Sequence, residues 1–253
     1  MTLRPDQRVR YERNLLIPGI GETGQDRLAR ARVCLVGLGG LGSSAGHYLA
    51  AAGVGVLGLV DPDVVDLSNL QRQVLHVTDR VGVPKTDSAQ VALAALNPDV
   101  RLEPHRVRLN PENAVELLSE FDVVVEATDN FESKFVLNDA CLDMKKPFAT
   151  AGILALSGQA LFVVPGRTPC LRCAVFGAPH GVPTTSEQGV LGAVPGILGS
   201  LEAMEVIRWI VGAWQPPPDN TGLLHSIDGA TMHLRTLRIP RRADCRCARL
   251  WSG

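Results

Sequence analysis

Short apolar runs alternate with helical segments along the first 150 residues of this 253-residue chain. Mostly apolar runs over 33–36, 55–60 and 122–127 predict strands that are buried on both faces. Small and apolar residues over 43–52 favour a close-packed helix between the first two strands, and another helix is predicted to begin near Phe131. Strands that alternate with helices in this way predict a parallel sheet covered by helices.

The pattern changes after residue 150. Strands are predicted over 148–152 and 158–164, a polar loop over 183–192 and an amphipathic helix over 197–211. The last segments, 222–227 and 231–239, predict a β-hairpin that turns around Asp228 and Gly229. We therefore expect one domain over residues 1–253, with one half over 1–150 and a platform packed on it over 151–253.

The stretch from 33 to 60 contains no charged side chain. It is long enough for a membrane-spanning helix, which is an alternative to the predicted strands and helix. Several glycines interrupt it. Basic residues precede it, but the acidic Asp61 and Asp63 follow it. Buried parallel strands explain the missing charge better. The first residues contain no apolar segment of the kind that signal peptides carry, so we expect a cytoplasmic protein without membrane attachment.

The composition allows a large core and argues against one class of function. Hydrophobic residues make up 45% of the chain, which suits a single α/β domain of this length. A net charge of −1 argues against general nucleic-acid binding. The basic residues that gather near the chain end fit a solvated surface or a docking site for a partner: Arg235, Arg238, Arg241, Arg242, Arg246 and Arg249.

A glycine-rich turn follows the first predicted strand. Gly37, Gly39 and Gly42 match the Gly-x-Gly-x-x-Gly pattern, in which glycines let the backbone approach a phosphate and the following helix presents free amides. Asp61 ends the next strand about 20 residues later, where an acidic side chain commonly binds the ribose hydroxyls of a nucleotide. This part of the chain therefore predicts a nucleotide site.

Charged residues further along the chain refine that prediction. Arg72 and Lys85 add two cations to a site that already offers backbone amides, which favours a triphosphate. Asp129 follows the strand over 122–127, and ligands of parallel sheets bind at the carboxyl ends of strands, so it is expected beside Asp61. Its carboxylate either holds Mg²⁺ on the phosphates or caps the helix that follows.

Four of the six cysteines form two close pairs, Cys170 with Cys173 and Cys245 with Cys247. Two such pairs that meet in space would form a Cys₄ zinc site tying the chain end to the rest of the second half. The Cys-x-Cys spacing is tight for two tetrahedral ligands, and His180 is a possible substitute ligand. A disulfide or free thiols are the alternatives to zinc.

Together these motifs resemble those of the MoeB/ThiF adenylyltransferases, bacterial relatives of the ubiquitin-activating enzymes, and most of all the molybdopterin-synthase adenylyltransferases. The resemblance covers nearly the whole chain, from residues 10–13 to the last cysteine pair. It implies an α/β fold with a Rossmann-like, mostly parallel sheet flanked by helices, a C-terminal mixed or antiparallel extension and a zinc-bound chain end. The matching segments are Gly37 to Gly42, Asp61-Pro-Asp63, Leu67-Ser-Asn69-Leu-Gln-Arg72-Gln73, Val83-Pro-Lys85, Ala127-Thr-Asp129-Asn130 and Cys170-Leu-Arg-Cys173.

The resemblance also implies an activity. A member of this family would use ATP and Mg²⁺ to adenylate the C-terminal glycine of a small ubiquitin-like sulfur-carrier protein that ends in Gly-Gly, releasing pyrophosphate. The implied catalytic residues are Arg13, Arg72, Lys85 and Asp129, with Arg13 reaching into the other subunit of a homodimer. The implied ATP-binding residues are Gly37, Gly39, Gly40, Leu41, Gly42, Asp61, Asp63, Asn69, Arg72, Gln73, Lys85, Thr128, Asp129 and Asn130.

The resemblance also implies two metal sites and a division of the chain into two halves. Asp129 would hold Mg²⁺, and the paired cysteines Cys170, Cys173, Cys245 and Cys247 would hold structural Zn²⁺. Residues 1–150 would form the nucleotide-binding half, and residues 151–253 the carrier-binding and zinc half.

One departure from the family pattern bears on how far the reaction goes. Many relatives carry a cysteine in a Thr-Cys-x-Glu-x-Gly-Val segment that takes up the acyl group or sulfur, and Thr185 stands at that position here. A threonine hydroxyl has no accessible anion near neutral pH, so we expect the reaction to stop at the adenylate. Sulfur would then come from a separate donor.

Three alternative functions stay open on the sequence. A dinucleotide-dependent oxidoreductase would share the glycine turn and Asp61, but it gives the later charged residues no common purpose. A non-catalytic nucleotide-binding partner subunit would not need the complete charged set. Adenylation of a small molecule or an RNA base by the same fold is kept open by the arginine-rich chain end.

Overall fold

The computed structural model describes residues 3–175 and 185–251. Within these ranges the strands are β1 (Arg32–Val36), β2 (Val56–Val60), β3 (Arg101–His105), β4 (Val123–Glu126), β5 (Phe148–Leu154), β6 (Ser157–Val163), β7 (Gly222–Asp228) and β8 (His233–Ile239). The α-helices are α1 (Pro5–Leu15), α2 (Gly21–Arg30), α3 (Gly40–Ala52), α4 (Lys85–Leu96), α5 (Ala114–Ser119), α6 (Phe131–Asp143), α7 (Leu171–Ala174), α8 (Thr185–Gln188) and α9 (Ala193–Val211). Short 3₁₀ helices cover Leu67–Asn69, Thr78–Arg80 and Arg246–Trp251.

The described strands form one sheet in the order β3-β2-β1-β4-β5-β6-β7-β8. The first five strands in that order run parallel to their neighbours, and helices such as α3 and α6 provide the long connections that parallel neighbours need. β6, β7 and β8 continue the sheet with antiparallel pairing. The predicted α/β fold, a mostly parallel sheet with an antiparallel C-terminal extension, is confirmed.

Alternate residues of the central strands pack into different parts of the core. Val33 and Leu35 of β1 belong to a cluster with α3, α4 and α9, whereas Cys34 and Val36 belong to a cluster with α5 and α6. Because successive strand side chains point to opposite faces, the sheet carries a packed helical layer on each face. This double burial explains the absence of charge over residues 33–60. Among the described residues, no helix is long and apolar enough to cross a membrane.

Helices α3 and α9 approach each other closely on one face of the sheet. Gly199 of α9 has no room for a side chain, because a Cβ there would lie 2.2 Å from the carbonyl oxygen of Leu41 in α3. The contact holds the first turn of α3, which directly follows the glycine turn, against a long buried helix. The glycine turn is therefore supported from behind by the core.

Several elements differ from the predicted ones. β3 was not predicted; it lies at the sheet edge and has no apolar run, and its Arg101 and Pro104 are exposed. The helices α1, α2, α4, α5 and α7 were not predicted either. The predicted polar loop over 183–192 contains α8 in its described part, and the helix predicted from residue 197 begins earlier, at Ala193. β8 begins at His233 because Thr231 belongs to the turn and donates to Asp228 Oδ2 at 2.8 Å.

Candidate active site

The glycine turn connects the end of β1 to the start of α3. Gly37 has a φ of +97°, and a Cβ there would lie 2.5 Å from the carbonyl oxygen of Ala127; at Gly42 a Cβ would lie 2.0 Å from the Gly37 oxygen. Both positions exclude a side chain. Gly39 is different, because the heavy atom nearest to its Cβ position is 3.7 Å away, on Gln73. The space in front of Gly39 is open to a ligand, at the positive end of α3.

A cavity of about 780 Å³, here called the cleft, lies at the carboxyl ends of β1, β2 and β4. Its size is within the range of about 300–1,000 Å³ typical of small-molecule sites. Among the described residues, Arg13, Gly42 and Asn69 lie outside its lining. The predicted residues that do line it are Gly37, Gly39, Gly40, Leu41, Asp61, Asp63, Arg72, Gln73, Lys85, Thr128, Asp129 and Asn130.

Asp61 lies at the end of β2 with 5% of its surface exposed. Its Oδ2 accepts a hydrogen bond from the Leu38 amide at 2.7 Å, and its Oδ1 accepts one from the Asp63 amide at 2.9 Å. Burial raises the pKa of this carboxyl group, against the opposing effect of Lys85 and the two amides. Each oxygen has a second lone pair, so Asp61 can still accept hydrogen bonds from a diol.

Lys85 is a buried cation in the wall of the cleft. It is the first residue of α4, and its side chain is 8% exposed. Its Nζ lies 3.3 Å from Asp63 Oδ2 and 4.0 Å from Asp61 Oδ1. An ammonium group carries three donors, so Lys85 can contact a phosphate oxygen and keep these partners.

Arg72 and Asn69 act as a pair. Arg72 lines the cleft, and its Nη2 donates to Asn69 Oδ1 at 2.7 Å. Its Nη1 also donates to the Ser68 carbonyl at 3.3 Å. Asn69 therefore orients the guanidinium group from outside the cleft, while the remaining guanidinium donors are available to an anion.

Gln73 has a buried amide at the cleft. Its side chain is 5% exposed, and within the described part of the chain its Oε1 has no hydrogen-bond partner. A buried polar atom without a partner is costly unless a ligand, ion or water satisfies it. Gln73 Oε1 therefore needs a hydrogen-bond donor that the described side chains do not supply.

The turn after β4 carries three predicted residues. Asn130 caps α6, because its Oδ1 accepts a hydrogen bond from the Ser133 amide at 2.8 Å. The alternative in which Asp129 caps this helix is therefore wrong. Asp129 is exposed and lines the cleft, with its Oδ1 3.5 Å from the side-chain nitrogen of Asn130. Its carboxylate is thus available for a cation.

A polar network that was not predicted from the sequence lies under this turn. Glu126 is fully buried at the end of β4, and its Oε1 accepts from the Thr128 amide at 2.9 Å and from the Thr128 hydroxyl. Its Oε2 accepts from Lys134 Nζ and from Thr150 Oγ1, both at 2.6 Å. An acidic residue inside an otherwise apolar strand is the signal that could have revealed it. Glu126 holds in place the turn that carries Asp129.

The cleft continues beyond the parallel strands into the C-terminal extension. Ser157 and Gln159 of β6 and Leu224 and Ser226 of β7 line this part. Gly152 of β5 lies between the two parts, and a Cβ there would have no heavy atom within 4 Å. The cleft therefore extends from the parallel strands onto the antiparallel extension.

Arg13 lies apart from the other predicted catalytic residues. It belongs to the last turn of α1 and is exposed. α1 packs on α2, and its buried Tyr11 accepts a hydrogen bond from Asn97 at 2.8 Å. Within one chain, the structure does not bring Arg13 into the cleft.

The four paired cysteines come together at one site. Their Sγ atoms lie within 4.8 Å of one another, with Cys170 and Cys245 at 3.5 Å and Cys173 and Cys247 at 3.5 Å. Tetrahedral thiolate coordination of zinc places sulfurs about 3.8 Å apart. All four thiols are buried and free in this structure, and their arrangement suits a metal. His180 lies outside the described residues, and four sulfurs complete a tetrahedral set without it.

These features define the class of the protein: an α/β fold with a glycine turn open to a ligand at a helix N-terminus, cations and carboxylates at the carboxyl ends of the strands, and a four-cysteine cluster suited to a metal. A family profile described as the ThiF family matches residues 11–248, and the chain belongs to that family.

Curated relatives agree with this assignment. The chain is 42% identical over 247 residues to the adenylyltransferase and sulfurtransferase MOCS3 of Drosophila willistoni, covering 96% of this chain and 54% of that protein. It is also 42% identical over 243 residues to the sulfur carrier protein adenylyltransferase of Thermus thermophilus, covering 93% of this chain and 90% of that protein. The chain thus spans about half the length of the Drosophila relative and most of the Thermus relative.

Solved structures of E. coli MccB share the fold. The structure of MccB with ATP has a TM-score of 0.80 and 24% sequence identity, covering 94% of this chain and 74% of that one. Another MccB structure has a TM-score of 0.82 at 24% identity, covering 97% of this chain and 73% of that one. At this level of identity the likeness concerns the fold alone.

Proposed function

We propose that the chain uses ATP to adenylate the C-terminal glycine carboxylate of a small ubiquitin-like sulfur-carrier protein, with release of pyrophosphate. The observation that carries the proposal is that Asp61, Arg72, Lys85 and Asp129 line one cleft with the glycine turn, although they come from separate parts of the chain. The family and the names of the Drosophila and Thermus relatives support it.

The side chains of the cleft fit ATP and magnesium by their chemistry. Open backbone at Gly39 and the start of α3 suit phosphate oxygens, and Asp61 retains acceptors for the ribose hydroxyls. Asp129 offers the carboxylate oxygen that Mg²⁺ prefers. Gln73 Oε1 only accepts, so its partner would be a hydroxyl or amino donor of the nucleotide or a water. Magnesium, when bound, would neutralise charge on the phosphates.

In the proposed reaction a carboxylate oxygen of the carrier forms a bond to the α-phosphorus of ATP. The bond from that phosphorus to the oxygen bridging to the β-phosphorus breaks, and pyrophosphate leaves with the electron pair. Both reactants are anions, so the protein must neutralise charge and hold geometry. Arg72, oriented by Asn69, and Lys85 would perform the first task, while the glycine turn and Asp61 would fix the nucleotide.

The carrier and a second subunit each have a proposed place at the cleft. The extension of the cleft along β6 and β7 gives room for an extended Gly-Gly tail. Arg13 would act on the site of a second copy of the chain in a homodimer, since its position on α1 leaves it outside its own cleft. The cation would then stabilise charge on the transferring phosphate in trans.

The end point of the reaction and the second metal are also part of the proposal. Thr185, at the start of α8, occupies the position of the cysteine found in many relatives, and its side chain lies outside the described part. The reaction would stop at the adenylate, and a separate donor would supply sulfur. The four-cysteine cluster would hold structural Zn²⁺, because buried thiolates at tetrahedral spacing are its usual ligands.

ATP–pyrophosphate exchange with a panel of small Gly-Gly carriers tests the proposal. Each carrier is paired with its version lacking the last glycine, which removes the reacting carboxylate from its place and leaves the carrier fold intact. Exchange that requires the complete tail is the expected result. Bound ATP without exchange for any carrier would contradict carrier adenylation and favour another acceptor, such as a small molecule or an RNA base, or a non-catalytic partner subunit.

A further inference from the structure

His76 is a buried residue beside the cleft, and neither the proposed reaction nor the metal sites involve it. It is 4% exposed and lies in the segment that follows Arg72 and Gln73. Its Nε2 lies 2.9 Å from the carbonyl oxygen of Leu38, and its Nδ1 lies 2.9 Å from Ser88 Oγ. One imidazole ring therefore contacts both the glycine turn and α4.

The direction of the two hydrogen bonds follows from their partners. A carbonyl oxygen only accepts, so Nε2 carries the proton and donates to Leu38. Burial lowers the pKa of His76, against the hydrogen bond to Leu38, and Lys85 and Arg80 also lower it, which favours the neutral ring. Nδ1 then accepts from the Ser88 hydroxyl.

The bond to Leu38 sets the orientation of a peptide group. In a trans peptide the carbonyl oxygen of one residue and the N–H of the next point in opposite directions. Because the Leu38 carbonyl points to His76, the Gly39 N–H points away from it. His76 is a described residue outside the cleft lining, whereas Gly39 lines the cleft and has open space before it. The Gly39 N–H thus points away from His76, on a residue that lines the cleft.

The hydrogen bond to Ser88 connects His76 to the helix that carries Lys85. Ser88 lies three residues after Lys85, on the first turns of α4. Lys85 in turn lies 4.0 Å from Asp61, whose other oxygen accepts from the Leu38 amide at 2.7 Å. A closed ring of contacts therefore runs from Leu38 through Asp61, α4 and His76 back to Leu38.

We propose that His76 is a positioning residue for the triphosphate, holding the Gly39 amide and Lys85 at a fixed separation through its bonds to Leu38 and Ser88. The proposal rests on ATP being the ligand of the cleft, as in the proposed function. It assigns His76 no contact with ATP itself. Its effect is on the phosphates, so the nucleoside part of the ligand should be insensitive to it.

Two calorimetric titrations of the full chain test whether His76 affects the phosphates and not the nucleoside. One uses ATP in the presence of Mg²⁺, and the other uses adenosine. His76→Leu removes both bonds, His76→Asn can replace only the contact near Nδ1, and His76→Gln places an amide donor near the Nε2 position. We expect His76→Leu and His76→Asn to weaken ATP binding about tenfold, and His76→Gln to recover most of it. Adenosine affinity should change less than about twofold.

Two further variants make the result decisive. Ser88→Ala removes only a hydroxyl and should weaken ATP binding about threefold, which keeps the test valid if His76→Leu does not fold. His233→Leu, an exposed histidine on β8, is the matched control and should leave ATP affinity unchanged. Equal weakening of ATP and adenosine, or unchanged ATP affinity in His76→Asn, would overturn the proposal.

The same titrations distinguish this inference from the proposed function. A wild-type chain that binds ATP with the expected dependence on His76, but exchanges pyrophosphate with no carrier, would contradict carrier adenylation and support the role of His76. A wild-type chain that exchanges normally while the variants lose ATP and adenosine equally would contradict only the role of His76. Failure of the wild type to bind ATP would contradict both.

Discussion

Lys134 and Glu126 form an ion pair inside the protein, with Lys134 Nζ 2.6 Å from Glu126 Oε2. Glu126 is fully buried and Lys134 is 7% exposed, so neither charge is solvated well by water. Lys134 Nζ also donates to the Ala151 carbonyl at 2.6 Å. The pair connects α6 to β4 and β5 under the turn that carries Asp129.

Removing the cation of this pair should be strongly destabilising. Lys134→Met leaves the Glu126 carboxylate buried without its counter-charge, and we expect the free energy of unfolding to fall by about 3–5 kcal/mol. Urea denaturation measures the change. The double variant with Glu126→Gln should recover part of the loss, because it removes the unpaired charge; no recovery would contradict the pairing. Arg208→Met, which breaks an exposed pair with Glu205, is the control and should cost less than about 1 kcal/mol.

Glu202 should make stability depend on pH. It is buried in α9, and among the described residues neither carboxylate oxygen has a hydrogen-bond partner. Burial, followed by the nearby Glu126, raises its pKa well above the ordinary value of 4.5. A carboxyl group whose pKa is higher in the folded than in the unfolded protein binds its proton more tightly in the folded state. The stability that this contributes is fully present below the unfolded pKa and is lost as pH rises through the folded pKa.

Replacing Glu202 tests that sign. Glu202→Met should increase the free energy of unfolding near pH 8 by about 1–3 kcal/mol, because no polar group is then buried without a partner. The advantage over the wild type should shrink as the pH is lowered toward about 5, where the unfolded carboxyl group also begins to bind a proton. Urea denaturation at a series of pH values measures it, and an advantage independent of pH would contradict the raised pKa.

Arg72 should matter for rate more than for folding. Arg72→Met removes a cation that the proposed reaction directs at the phosphates, and we expect pyrophosphate exchange to fall about 10²–10³-fold. The matched control is Arg30→Met, an exposed arginine paired with Asp26 on α2, which should exchange normally. Similar losses in both variants would argue against a specific role for Arg72.

The cysteine cluster predicts a metal content. Purified protein should contain about one zinc per chain by elemental analysis, and Cys247→Ser should lose most of it. Removal of the metal by a chelator should lower the melting temperature, because metal binding contributes to folding. Less than about half a zinc per chain in the wild type would contradict the site.

Thr185 should be dispensable for adenylation. Thr185→Ala removes the hydroxyl at the position where relatives carry an acyl-accepting cysteine, and pyrophosphate exchange with the carrier should stay within about twofold of the wild type. A large loss of exchange would show that the residue takes part in the first step and would contradict an end point at the adenylate.

The sequence predicted the cleft well because its signals are local. Glycines at fixed spacing and an acid at a strand end are readable from one segment, and the topology of a parallel sheet then places those strand ends together. Arg72, Lys85 and Asp129, predicted from their charge and the strand-end position, line the cleft, whereas Arg13, which the family resemblance alone implied, does not line it within one chain. Whether Asp129 caps α6 needed coordinates, because the neighbouring Asn130, which provides the cap, is an equally suitable residue.

The missed features depend on contacts between distant segments. His76 gains its partners from Leu38 and Ser88, which lie 38 and 12 residues away, and nothing in its neighbourhood in the sequence indicates them. β3 was missed because an edge strand carries less apolar sequence than a central one. The cysteine cluster was predicted despite its short second spacing, and the structure shows that the turn into the 3₁₀ helix at Arg246–Trp251 brings both sulfurs to one place.

The four-cysteine cluster also closes the chain on itself. Cys170 and Cys245 are 75 residues apart, and the segment between them contains α8, α9, β7 and β8. A metal held by these sulfurs would restrict the unfolded ensemble of that whole segment, an entropic effect that grows slowly with loop length. The glycine turn, Asp61 and Lys85 lie outside the loop. Loss of the metal would therefore lower the free energy of unfolding of a segment that includes α9, the helix whose Gly199 packs against Leu41 in the first turn of α3.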